Sequence, residues 1–181
     1  MSNTLLRMVA VQGFKAGAAH AVRRCAAVLN AVDGGPSAIR ATLAQYGERT
    51  EELSEDQVAA LSQAAQRLRA IAAEESLDRV CDALNDILAT CRPPRLTAHD
   101  GSPWHLHIDA DDDADWGEWF LASSAMALAI TVSDAQQPPL GVCRAPGCAN
   151  VYPVSSPGRP RRYCSTTCST RARVHAHRTR S

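Results

Sequence analysis

Lysine is almost absent from this 181-residue chain, with Lys15 as its single representative. Aromatic residues are nearly as rare, at 4%, against 45% hydrophobic residues in all. A core must therefore be assembled from Ala, Leu, Val and Ile, and the low β-branched content excludes an all-β protein. No run of 18 uncharged apolar residues occurs, so no transmembrane helix is expected. The opening stretch lacks a basic segment ahead of an apolar one, so no secretory signal is expected. Seven cysteines, an odd number, argue against a disulfide framework and for a reducing, cytoplasmic setting.

Acidic residues are missing from one region in particular. From Gly141 to Ser181 there is no Asp or Glu, while eight arginines lie there: Arg144, Arg159, Arg161, Arg162, Arg171, Arg173, Arg178 and Arg180. The preceding 140 residues hold the other 11 basic and all 19 acidic side chains, a net of −8. A formal charge of zero thus conceals an acidic body followed by a basic module.

What the body does contain is helical periodicity. Leu5, Val9, Phe14, Ala18, Val22, Cys25, Val28, Leu29 and Val32 recur at intervals of three and four, predicting one helix over residues 4–32 that stops at Asp33-Gly34-Gly35-Pro36. A short helix follows around Ile39, Leu43 and Tyr46. Ser54-Glu55-Asp56-Gln57 has the pattern of a capping box ahead of a stripe of Val58, Leu61, Ala65, Leu68 and Ile71. Ser76 can cap a further helix that ends before Pro93-Pro94. The period then changes to two: residues 95–98 and 104–108 read as a hairpin turning at Asp100-Gly101, with Leu96, Ala98, Trp104, Leu106 and Ile108 expected to face the core. Residues 116–133 read as the most buried helix, its apolar positions spread around the cylinder, and residues 134–139 as a linker.

The last part of the chain carries the strongest chemical signal, Cys143-x4-Cys148-x15-Cys164-x3-Cys168. Two close pairs separated by a modest loop suit a closed tetrahedral site, each pair giving two sulfurs from one local turn. Four thiolates with no redox partner favour Zn²⁺ over iron. Zinc binding, worth ~10–16 kcal/mol in small modules, has to supply folding energy that few large apolar residues can give here. Cys25, Cys81 and Cys91 lie on apolar helix stripes and read as small core residues. The arginines exceed what neutralising a zinc–thiolate cluster requires. If residues 165–180 form a helix, Arg171 and Arg178 follow the cysteine face and Arg173 and Arg180 form a second stripe. Such a helix suits a polyanion, with Arg161 and Arg162 extending the patch. Two weaker patterns carry less. His105, His107 and Asp109 share a strand face that is more often solvated than metal-binding, and residues 109–120 fail as a calcium loop because Ala114 and Phe120 stand where glycine and glutamate are needed. No catalytic constellation is visible, so an enzyme is not expected.

These residues also resemble a known family. The cysteine spacing, Tyr152, Ser156, the Arg161-Arg162-Tyr163-Cys164 segment and the Cys168-Ser169-Thr170-Arg171 tetrad are similar to the CGNR-type zinc finger. In that family Cys-Gly-Asn-Arg stands at the tetrad, and an aspartate usually stands where Val154 does. The finger occurs at the C-terminus of bacterial proteins with an N-terminal ABATE domain, which are regarded as stress-induced transcription regulators. Leu84-Asn85, Pro94-Arg95-Leu96 and the 104–108 segment resemble the end of that domain. The resemblance implies a DNA-binding function. The expectation is a mostly α (α+β) protein: a helical ABATE-like domain with one hairpin over residues 1–137, and a four-cysteine zinc finger with a basic C-terminal helix over 138–181. One structural Zn²⁺ would sit on Cys143, Cys148, Cys164 and Cys168. Arg161, Arg162, Arg171, Arg173, Arg178 and Arg180 would meet DNA, and the helical domain would sense a small molecule or form a homodimer. The alternative is a zinc-stabilised module whose basic tail binds an acidic protein partner.

Overall fold

Apolar residues on every side of one helix require neighbours on every side, and residues Trp116–Ala135 (α5) obtain them. A computed structural model describes residues 3–50, 53–98, 104–108, 115–154 and 161–179, with side chains from Ala16 onward and without that of His105. Around α5 pack α1 (Asn3–Ala31), α3 (Glu55–Ala72) and α4 (Leu77–Leu88), and α2 (Gly35–Gln45) lies against α1. The protein is mostly α. Its body core joins Val22, Leu29, Leu43, Leu61, Leu68, Val80 and Leu84 to Phe120 and Leu128 of α5. Among the described residues no helix is long and apolar enough to cross a membrane.

Local signals in the sequence start these helices where expected. Ser54 Oγ accepts the Gln57 N–H at 3.3 Å while Gln57 Oε1 accepts the Ser54 N–H at 2.8 Å, the reciprocal pair of a capping box. Ser76 caps α4. Asp115 Oδ1 accepts from the Gly117 and Glu118 N–H groups at 2.7 and 3.0 Å, placing its charge at the positive end of α5. The Asp33–Pro36 stop is tighter than a loop. A single 3₁₀ turn, Val32–Gly34, passes directly into α2, with Gly35 at φ 75° and Pro36 in the first turn of the helix.

One buried charge fastens three parts of the body together. Arg24 on α1 is 7% exposed, pairs with Glu48 beyond α2 at 2.5 Å and donates to Ser123 Oγ of α5 at 2.7 Å. Its guanidinium also lies 4.2 Å from the Trp119 ring centroid. Cys25 beside it is fully buried, and that burial pushes its thiol up to about 12, the behaviour of an inert core residue. Cys81 and Cys91 are half-buried against the same core.

Helices α3 and α5 approach so closely that Gly117 cannot carry a side chain. A Cβ there would lie 2.8 Å from the Ala60 carbonyl carbon and 2.9 Å from its oxygen. Gly117→Ala should force the helices apart at a cost of about 1–3 kcal/mol. Thermal denaturation should show a midpoint lowered by roughly 3–10 °C. An unchanged midpoint would mean that the contact relaxes freely.

The expected hairpin forms, but most of the face expected to be buried is exposed. Strands β1 (Arg95–Thr97) and β2 (His105–His107) pair antiparallel, Leu96 facing Leu106. The expectation that Leu96, Ala98, Trp104 and Leu106 face the core is overturned. Leu96 is 65%, Trp104 74% and Leu106 37% exposed, Ala98 is also exposed, and Ile108 alone is buried. Alternation identified the residues that share a face. It is the surroundings that decide which face is covered, and no described helix packs extensively on this two-stranded ribbon. The Asp100-Gly101 turn and residues 109–114, including Asp109, lie outside the described residues.

A second hairpin was not expected. Strands β3 (Leu140–Val142) and β4 (Val151–Pro153) pair antiparallel, and α6 (Thr166–Arg178) follows them. Leu140 and Val151 belong to the body's core, with Val142 packed at its edge, so β4 lies against α1 and β3 against α3. The preceding segment is held too: Gln136 takes a left-handed conformation to close α5, and Pro139 is fully buried.

Candidate metal centre

Each cysteine pair is delivered by a turn that its own sequence specifies. Cys143 follows β3, and its N–H donates to the Asn150 carbonyl at 2.8 Å, continuing the hairpin ladder. The Arg144–Gly147 segment then folds back, Cys148 N–H donating to the Ala145 carbonyl at 3.0 Å. Gly147 sits at φ 68°, a conformation that L side chains rarely adopt. The second pair uses a helix start. Ser165 Oγ accepts the Cys168 N–H at 3.1 Å as the cap of α6, which leaves Cys164 just outside the helix and Cys168 in its first turn.

These turns bring all four Sγ atoms within 4.8 Å of one another. Four sulfurs at ~2.3 Å from a tetrahedral Zn²⁺ stand about 3.8 Å apart. Cys148 and Cys164 are 3.8 Å apart and Cys164 and Cys168 3.5 Å, so the cage has the dimensions of a zinc site. Cys143 and Cys168 are buried and the other two half-buried. The cage therefore holds one structural ion and leaves no open position.

Proton occupancy in the crowded cluster shows why a cation suits it. Burial raises the Cys143 thiol, but N–H groups of Cys164 and Ala145 and the neighbouring thiols more than offset this and bring it down to about 7. Burial and the surrounding thiols push Cys164 up to about 12. The Ser165 hydroxyl leads the interactions that lower Cys168. Sulfurs this close divide protons among themselves unless a cation offsets their charge, and Zn²⁺ on four thiolates still leaves a net of about −2. Hydrogen bonds outside the cage share that work: the Cys164 N–H lies 3.4 Å from Cys143 Sγ and Arg171 Nη2 3.3 Å from Cys168 Sγ.

Spacing, cage geometry and the helix that follows together have a counterpart among known proteins. Residues 140–181 match the CGNR zinc finger. The match starts at Leu140, the first residue of β3, and covers less than a quarter of the chain. No curated protein matches the chain. Within the CGNR finger, Ser169 and Thr170 of the altered tetrad lie in regular α6 helix, and no positive φ occurs at either. The fold of this segment therefore has no need of a glycine at position 169. Tyr152, at the finger's aromatic position, forms its centre with Cys143, Ala145 and Cys168. The Tyr152 hydroxyl donates to the Arg161 carbonyl at 2.5 Å, and burial raises its pKa. Its ring passes so close to Gly141 that a Cβ there would meet Cζ at 2.9 Å.

The six arginines singled out from sequence fall into different roles. Arg171 is exposed but donates to Cys168 Sγ. Arg161 stacks its guanidinium 5.2 Å from the Tyr152 centroid and donates to the Tyr163 carbonyl at 2.8 Å and to the Cys164 carbonyl. Arg162, Arg173 and Arg178 are exposed. Arg180 lies outside the described residues, as do Ser156 and Arg159. Arg144 pairs with Glu75 of the body. On α6, Cys168 and Ala172 pack into the finger, while Arg173, Val174, His177 and Arg178 are exposed.

Sequence reasoning missed the residue that holds the finger to the body. Asn30, near the end of α1, donates Nδ2–H to the Val151 carbonyl at 2.8 Å and accepts the Val151 N–H at 2.7 Å. Its amide stands in for a third strand along the edge of β4. Arg69 on α3 adds to this, donating to the Leu29 carbonyl at 2.7 Å and the Ala149 carbonyl at 3.3 Å. Nothing marks Asn30 in the sequence, because a polar residue near a helix end has many ordinary uses. Asn30→Ala should leave two backbone groups of β4 without partners, at ~1–3 kcal/mol each. Hydrogen exchange at the Val151 amide should then accelerate at least about tenfold. Unaltered protection would show that the pair does not fasten the junction.

Proposed function

We propose that the protein is a DNA-binding regulator whose zinc-ordered finger presents α6 to the phosphate backbone. The observation that carries this reading is the outward face of α6. Arg173 and Arg178 are exposed there beside Arg171, in a segment that contains no acidic residue from 141 to 181. The guanidinium fork matches phosphate oxygens in a bidentate way, which suits a surface built from arginine. The body's net charge of −8 would repel the same polyanion and so restrict contact to the finger. The likeness of residues 140–181 to the CGNR finger supports this reading, and in it the body is an ABATE-like domain of a bacterial cytoplasmic regulator that senses a ligand or dimerises. In this reading the chain is not an enzyme. A dimer would raise affinity by linking two small fingers through effective concentration.

Salt dependence of DNA binding tests the proposal. Zinc-loaded protein and duplex DNA should give a log–log slope of roughly −4 to −5, as expected for four to six phosphate contacts. Selection from a random DNA pool would then identify any preferred site. Absence of binding at ~50 mM salt with zinc in place would sink the proposal and leave the finger as a docking module for an acidic protein.

A further inference from the structure

The junction between finger and body holds a cleft of about 890 Å³ that borders the zinc cage at Cys164 and Cys168 and runs from there along α1. Its walls are predominantly apolar, and its size lies within the ~300–1,000 Å³ range of small-molecule sites. The sequence explains why space remains there. Helix α1 presents Ala19, Val22 and Ala26 on one side, three and four residues apart, and two of these side chains are single methyl groups. Ile130 of α5 forms another wall, and Tyr152 together with the start of α6 closes the finger side.

The charged groups in the lining are few and uneven. Arg23 reaches the cleft from α1, is exposed, and has no partner among the described residues. Arg161 reaches it from the finger. Its Nε and one terminal nitrogen are donated to backbone carbonyls, which leaves the other terminal nitrogen without a partner among the described residues. Asp134, the one carboxylate among the described lining residues, is already engaged. Zinc on four thiolates leaves the adjoining cage at about −2, which Arg161 beside it partly offsets, so among the described lining residues Arg23 is the one cation open to a ligand. A dianionic phosphate would exceed that charge and would approach the zinc–thiolate cluster, whereas a monoanion with an apolar body matches both parts of the lining.

From this lining we infer that the cleft binds a small apolar monocarboxylate, its hydrocarbon or aryl part against α1 and α5 and its carboxylate at Arg23. Such a molecule would touch α1, α5 and the segment that positions α6 at once, so its binding would be sensitive to how the finger sits on the body. Control of DNA affinity by this ligand rests on the function proposed above; occupancy of the cleft does not.

The test uses the full zinc-loaded chain without DNA. The reporter is the fluorescence of 1-anilinonaphthalene-8-sulfonate, and octanoate or 1-naphthoate is the competitor. One saturable reporter site per chain is expected, with octanoate displacing at a concentration at least about tenfold below that of uncharged octanol. Ala19→Trp should fill the cleft and weaken reporter and octanoate binding at least about tenfold, with zinc content and helicity retained. If that variant loses zinc or helicity, Ala135→Trp on the α5 side takes its place. Arg23→Gln should bring octanoate and octanol to similar midpoints. No saturable site, equal displacement by octanoate and octanol in the unaltered protein, or unchanged binding in the filled variant would each overturn the inference. A separate titration of DNA affinity with octanoate distinguishes failure of the ligand site from failure of the DNA-binding reading.

Discussion

Cys164→Ser should release zinc and loosen the finger while leaving the helical body folded. Removing one of four thiolates forfeits about a quarter of the ~10–16 kcal/mol of a structural site, roughly 3–4 kcal/mol. Zinc affinity should therefore fall by two to three decades, approximately 10²–10³-fold. Cys164 is the sulfur on which the cage converges, lying 3.8 Å from Cys148 and 3.5 Å from Cys168, and its own N–H meets Cys143 Sγ. Limited proteolysis should open the chain beyond about residue 154 first. Residues 140–151 keep anchors in Leu140, Val151 and the Asn30 pair, and these do not depend on the metal. Since Leu140 and Val151 stay in the body's core without the metal, its thermal midpoint should change little, and far-ultraviolet circular dichroism should retain the signal of α1–α5. A chelator should reproduce both outcomes in the unaltered protein. Unchanged zinc affinity in the variant would rule out the four-cysteine site.

Replacing Arg173 and Arg178 together with Ala should abolish most DNA affinity without touching the metal. Both side chains are exposed on the outer face of α6, and neither is among the groups that contact the zinc cage. Loss of two phosphate contacts makes the salt slope less negative by about 2 and weakens binding roughly ten- to a hundredfold at ~50 mM salt. Arg171→Ala makes an informative comparison. Its guanidinium donates to Cys168 Sγ, so this change should lower zinc affinity as well as DNA affinity. Equal DNA affinity in the double variant and the unaltered protein would remove α6 from the contact surface.

The two halves of the molecule were unequally legible from sequence. Helix starts at Ser54 and Ser76 were readable because a cap acts within three residues of its own backbone. The zinc cage was readable for a similar reason: each pair is set by one turn, and thiolate spacing leaves few alternatives. The hairpin's exposed face was misread, since Leu96 and Leu106 share a side of the ribbon whether or not anything covers it. The strands β3 and β4 went unnoticed because three residues each are too short for a period to declare itself.

Sequence alone thus determined which segments become helices and which four sulfurs meet, as these follow from interactions between near neighbours in the chain. Tertiary structure decided that the finger is seated on the body through Asn30 and Val151, and that Arg161 and Arg171 are drawn toward backbone carbonyls and sulfur while Arg173 and Arg178 stand free of the cage. Those outcomes depend on partners up to 121 positions apart. Local pattern carries no record of such distances, because only folding determines which surfaces are left to face each other.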